Sequence, residues 1–119
     1  MASRLDRDPY KDCPSNCEVV LPGPRQLFLD LDDGAQINDN VLASLVKNGY
    51  DIRYRMTTTS RNGGEHVYFE VEGEDLTPIE RVLLQACLGS DPVREVLSFL
   101  RIKRNHPTPT TFFELKEED

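Results

Sequence analysis

The sequence predicts an α+β sandwich in which one antiparallel sheet carries helices on a single face, and three observations carry that expectation. Residues 26–32 alternate Leu27, Leu29 and Leu31 with Phe28, Asp30 and Asp32, the period of two that sends side chains to opposite faces of a strand. Two more alternating segments, Asp51 to Thr59 and Glu65 to Glu72, flank the turn Ser60-Arg61-Asn62-Gly63-Gly64. Between and after them lie segments with helical spacing and well-marked ends. The resulting order is strand, helix, strand, strand, helix with a second helix appended, strand. This βαββα(α)β order is the ferredoxin-like or RNA-recognition-motif layout, with the first and third strands as central, antiparallel neighbours.

Taken in order, residues 1–24 show no periodicity and contain four prolines, so they form an irregular arm. Cys13 and Cys17 lie in it, but a zinc site needs two further ligands, and His66 and His106 are the only histidines. The domain runs from 25 to 115. After the first strand, Ile37, Val41, Leu42, Leu45 and Val46 mark a helix closed by Asn48-Gly49. In the second strand Ile52, Tyr54 and Met56 alternate with Arg53 and Arg55. In the third, Val67, Phe69 and Val71 share one side, with His66, Tyr68 and Glu70 on the other. Thr77-Pro78-Ile79-Glu80 combines an N-cap, a first-turn proline and a capping-box glutamate. The helix that follows runs through Val82, Leu83, Ala86 and Cys87, which places Cys87 in the core. Ser90-Asp91-Pro92 starts a second helix through Val93, Val96 and Leu97 to Leu100. Thr110 to Leu115 forms a last short strand, and 116–119 an acidic tail.

Charge and cysteine content narrow the function. A net charge of −7 opposes indiscriminate nucleic-acid binding, yet Arg53, Arg55 and Arg61, and again Arg94, Arg101, Lys103 and Arg104, form basic groups. Three cysteines without disulfide spacing indicate a reducing compartment, and the opening Met-Ala-Ser-Arg-Leu-Asp-Arg-Asp lacks an apolar signal region, so a cytoplasmic location is expected. No apolar run is long enough to cross a bilayer, so no membrane partner is expected.

The candidate site follows from the layout. Leu27, Leu29 and Leu31 share the helix-facing side with Val67, Phe69 and Val71, which leaves Asp30, Asp32 and His66 together on an open face. Carboxylates two residues apart on a strand stand about 6 to 7 Å apart and suit a hard divalent cation. Such a cation orients a nucleotide triphosphate for in-line displacement. The Ser60–Gly64 turn, with its amides and Arg61, suits anion contacts.

Leu-Asp-Leu-Asp on the first strand, followed by Ser-Arg-Asn-Gly-Gly-Glu-His leading into the third, resembles the archaeo-eukaryotic primase (primase-polymerase) superfamily over roughly residues 25 to 104. The resemblance implies a modified RNA-recognition-motif core and a Mg²⁺- or Mn²⁺-dependent nucleotidyltransferase that works in primer synthesis or DNA replication of a virus or mobile element. It places Asp30, Asp32 and Asp91 as metal-binding catalytic acids, with Glu70 and Asp33 as substitutes for the third. It places His66 on the nucleotide triphosphate; Ser60 and Arg61 of the turn are expected to join it there, and Arg101, Lys103 and Arg104 to contact a single-stranded DNA template. A helicase or other replication protein is an implied partner. Members of that family are usually larger, so a minimal catalytic core, a fragment, or a relative that kept the fold and lost the reaction is expected. Two non-enzymatic alternatives accompany this expectation. One is a single-strand-binding module with Phe28 and Tyr68 as stacking platforms. The other is an acidic inhibitor or adaptor that uses Glu70 to Glu80 and the tail.

Overall fold

The computed structural model describes residues 4–6, 8–32, 34–60 and 63–116. The chain is a mixed α+β fold with antiparallel sheets and four α-helices. A short helix α1 (Pro9–Asp12) leads into strand β1 (Cys17–Val20), so the arm expected to be irregular contains a strand. Strand β2 (Gln26–Leu31), helix α2 (Asp39–Lys47), strands β3 (Ile52–Thr59) and β4 (Glu65–Val71), helices α3 (Pro78–Leu88) and α4 (Pro92–Lys103), and strand β5 (Phe112–Leu115) follow. Among the described residues no helix is long and apolar enough to cross a membrane.

The main sheet has three strands in the order β2-β4-β3, both pairs antiparallel, so the first and third predicted strands are neighbours as the layout required. Leu27, Leu29 and Leu31 face Phe69, Val67 and the end of β4 across the ladder, and with Val71, Leu76, Leu84 and Leu88 they form the main core. Ile37, Val41, Leu42 and Leu45 bring α2 onto the same face. Burying such side chains contributes roughly 1.5–3 kcal/mol each. The capping box predicted at Thr77 is formed, with Glu80 N–H donating to the Thr77 hydroxyl and Thr77 N–H to the Glu80 carboxylate.

The last strand does not extend this sheet. β5 pairs antiparallel with β1, and the two make a separate ribbon. The reason lies on the outer edge of β2, where a fourth strand would bond. Phe28 N–H donates to Gln85 Oε1 at 2.7 Å, and Phe28 C=O accepts from Arg94 at 2.9 Å. Asp30 N–H donates to Ser90 Oγ at 2.9 Å, while Asp30 C=O accepts from Asp91 N–H at 2.7 Å. Gln26 C=O accepts from Arg81. Groups from α3, α4 and their junction thus satisfy the edge that a strand would otherwise pair with.

Further expectations are corrected. The face opposite the helices is not open: Phe28, Tyr68 and Phe112 form a second buried cluster with Val20 packed against it. Phe28 and Tyr68 are therefore covered by the ribbon and are not stacking platforms. Tyr54 and Met56 do not share a face, because a bulge between them pairs Tyr54 with Phe69 but Met56 with Tyr68. Cys87 is exposed, because α3 buries the stripe Arg81–Leu84–Gln85–Leu88 and turns Leu83 and Cys87 outward. Helix α4 shows the same inversion: Glu95 and Ser98 are buried, while Val93, Val96 and Phe99 are exposed.

Candidate functional site

The site begins with the β2–β4 ladder. Asp30 and His66 share one face of the sheet, as the two alternations required; the register sets them directly opposite each other, and His66 Nε2 stands 3.8 Å from Asp30 Oδ1. The ladder alone would leave the histidine open to solvent. The ribbon changes that, because Phe112 stacks flat on the imidazole with ring centroids 3.8 Å apart and 6° between planes. Glu114, two residues along the same face of β5, hydrogen-bonds His66 Nδ1. His66 is consequently 7% exposed.

Around this pair lies a cavity of about 380 Å³, within the usual range for a small-ligand site. Its lining includes Asp30, Asp32, Ser60, His66, Asp91 and Arg101, so six of the residues singled out by sequence meet in one place. Asp32 stands exposed just beyond the end of β2. Asp91 arrives through its own backbone: its N–H is tied to Asp30 C=O, and one of its carboxylate oxygens caps α4 by accepting from Val93 N–H at 3.0 Å. Ser60 closes the turn, with its hydroxyl accepting from Gly64 N–H at 3.1 Å and its own N–H donating to Gly64 C=O.

Gly64 is required there by close approach. A Cβ on it would lie 2.4 Å from Leu31 C=O and 3.3 Å from Asp32 Cα, so any side chain would push the turn away from the carboxylates.

The other expected residues lie elsewhere. Lys103 is exposed at the end of α4, and Arg104 pairs with Asp6 at 3.3 Å on the surface. Glu70 is engaged by Arg55, which also bridges Glu72, so it is not a third acid of the cavity. Arg53 pairs with Asp51. Arg61 and Asp33 lie outside the described residues.

Sequence reasoning missed Arg94, Phe112 and Glu114 as parts of the site. Arg94 lines the cavity, donates from Nη1 to Phe28 C=O and to Glu95 at 3.0 Å, and sits 4.2 Å over the Phe112 ring. Its Nη2 is buried without a hydrogen-bond partner. Glu95 is in turn held by both oxygens through Gln85 Nε2. A usable signal was present: Ser90, Arg94 and Ser98 recur every four residues, which aligns polar groups on one side of α4. Phe112 and Glu114 alternate on β5, but nothing in that alternation names His66 as their target.

The electrostatics mix signs in little space. Burial pushes the Asp30 carboxyl above the ordinary aspartate value; Arg94 and His66 act against that rise, and Asp32 and Asp91 add to it. Burial lowers the Arg94 guanidinium, against the pull of Glu95, Asp30 and Asp91. Burial first, then Glu114, drives the Tyr68 phenol far above its usual range.

No family model, curated protein or solved structure matches this chain. The site therefore has to be judged on its own chemistry. Among the described residues no three His, Cys, Asp or Glu side chains are gathered closely enough to hold an ion by themselves. Asp30 and Asp32 nonetheless supply hard carboxylate oxygens, and Mg²⁺ is commonly held by one or two carboxylates with water and substrate phosphates completing its shell. The partnerless Arg94 Nη2 is a donor suited to the anionic side of such a ligand. The donor set fits a metal-bound phosphate ester.

Proposed function

We propose that this chain is a small primase-polymerase-like nucleotidyltransferase core that takes a metal-bound nucleotide triphosphate in the Asp30–His66–Asp91 cavity and acts on a single-stranded DNA template. The observation that carries the reading is the convergence of Asp30, Asp32, Asp91 and His66, from β2, the α3–α4 junction and β4, on one cavity. A relationship to the RNA-recognition-motif core belongs to the same proposal; the β2-β4-β3 order and the helices on one face support it, and the separate β1–β5 ribbon is a departure from it.

In this reading Asp30 and Asp32 hold Mg²⁺ or Mn²⁺, with Asp91 completing the acidic set. The bound ion would supply charge stabilisation at the phosphoryl oxygens. Arg94 and Arg101 line the same cavity and balance the triphosphate's negative charge, and His66 lines it beside them. Ser60 and Gly64 shape the turn beside the carboxylates, and Leu97 and Phe113 provide apolar wall for the nucleoside. Lys103 and Arg104 remain candidates for template contact from the end of α4.

The test is incorporation of a labelled deoxynucleotide by purified chain on a single-stranded template with Mn²⁺. Template-dependent incorporation that falls by about 100-fold or more in Asp30→Asn with Asp32→Asn is the expected result, since metal charge stabilisation supplies several kcal/mol. Incorporation that survives both substitutions overturns the catalytic assignment.

A further inference from the structure

The two histidines are held in opposite ways. His106 Nδ1 accepts from the Thr108 backbone N–H at 3.0 Å, so that nitrogen carries a lone pair and the proton of neutral His106 sits on Nε2. At His66 the partner of Nδ1 is the Glu114 carboxylate, and an ionised carboxylate only accepts. With Glu114 ionised, Nδ1 is the ring nitrogen of His66 that carries the proton. The same strand fixes the ring plane, because Phe112 stacks on the imidazole two residues before Glu114. What remains is Nε2, on the side of Asp30 and the cavity.

From this we infer that Glu114 is a positioning residue for His66: it assigns the imidazole proton to Nδ1 and presents Nε2 alone to whatever occupies the cavity. The strand that does this lies outside the sheet that carries Asp30 and His66, and it is anchored through its ladder with β1 from Cys17↔Leu115 to Val20↔Phe112. Glu114 touches no ligand in this scheme; it acts only through the imidazole. A histidine that meets ligand through one nitrogen while a carboxylate holds the other is a recurrent way of fixing ring orientation and tautomer. Where the inference assigns a role towards a nucleotide, it rests on the function proposed above.

The experiment is long-range ¹H–¹⁵N NMR of histidine-labelled full chain at about pH 8, where an unperturbed histidine is neutral. The expected spectrum shows a proton on Nδ1 of His66 and on Nε2 of His106. Glu114→Ala should release His66 to a tautomer mixture while His106 stays constant in both proteins. An unprotonated Nδ1 on His66 in the wild type overturns the inference even if the alanine variant fails to fold, and so does an alanine variant indistinguishable from wild type. A parallel titration with Mn²⁺–dATP should show binding weakened on the order of 10-fold by Glu114→Ala. Failure of the wild-type chain to bind Mn²⁺–dATP overturns the reading of the cavity, whereas the role of Glu114 stands or falls on the NMR tautomer pattern alone.

Discussion

The two faces of the three-stranded sheet are built from the same strands and obey different rules. On the helix-covered face the strands are apolar: Leu27, Leu29, Leu31, Val67, Phe69 and Val71 meet α2 and α3 in the main core. The ribbon-covered face places Phe28, Tyr68 and Phe112 beside Asp30, His66, Glu114 and Arg94. On the first face each contact is interchangeable with its neighbours. On the second each polar atom needs a particular partner, because an unpaired buried group costs about 1–3 kcal/mol. Non-directional packing dominates the first face and paired polar groups the second.

Substitutions on each face sharpen that contrast. Leu29, fully buried, should lose about 3–5 kcal/mol of stability as Leu29→Ala, read as a shift in the denaturant midpoint with an unchanged slope. Phe112→Ala should cost about 3 kcal/mol, the lower end for a buried phenylalanine because a two-stranded ribbon can settle into the space left. It should also release the His66 ring, visible as a change in its NMR signals that Leu29→Ala does not produce. Equal effects of both substitutions on His66 would break the distinction between the faces.

Gly64→Ala comes next. The clash with Leu31 C=O predicts a loss of about 1–3 kcal/mol, with nucleotide binding weakened beyond what the lost stability explains, because the turn must move away from Asp32.

The buried polar cluster also predicts a pH response. Burial raises Glu95 above its ordinary value of 4.5, against the influence of Arg94, Gln85 and Ser90. The folded state then binds the proton more tightly than the unfolded chain. Its contribution is fully present below 4.5 and is lost as pH rises through the raised folded value. Glu95→Gln should flatten that downward slope in stability against pH. A surface pair marks the small end of the scale: Arg25 and Asp75 are both well exposed, and Asp75→Ala should change stability by no more than about 0.5 kcal/mol.

What the sequence revealed divides along the same line. The alternation of β2 and β4 was sufficient to place Asp30 and His66 on one face of the sheet, because which side chains must be buried decides the face each residue takes. The caps at Thr77 and Asp91 were legible because they are local. The β1–β5 pairing was not, since it joins Cys17 to Leu115 across the length of the chain and neither four-residue strand names its partner. Helix α4 misled for a different reason: its apolar Val93 and Val96 suggest an inward face, yet Arg94 turns inward to satisfy the edge of β2 and, with Ser98, lines the cavity, while buried Glu95 pairs with Arg94. Glu114, placed in an acidic C-terminal run, gave no hint that it holds a histidine.

If the ribbon-covered face holds a metal-bound nucleotide, as proposed, Mn²⁺ itself reports on it. In an electron paramagnetic resonance titration the free Mn²⁺ signal, measured with dATP present, should fall as the chain is added. Half-saturation is expected somewhere between about 1 μM and 1 mM, the range of ordinary substrate affinities. Asp30→Asn with Asp32→Asn should abolish the fall. A free Mn²⁺ signal that is the same with and without the wild-type chain would contradict the account.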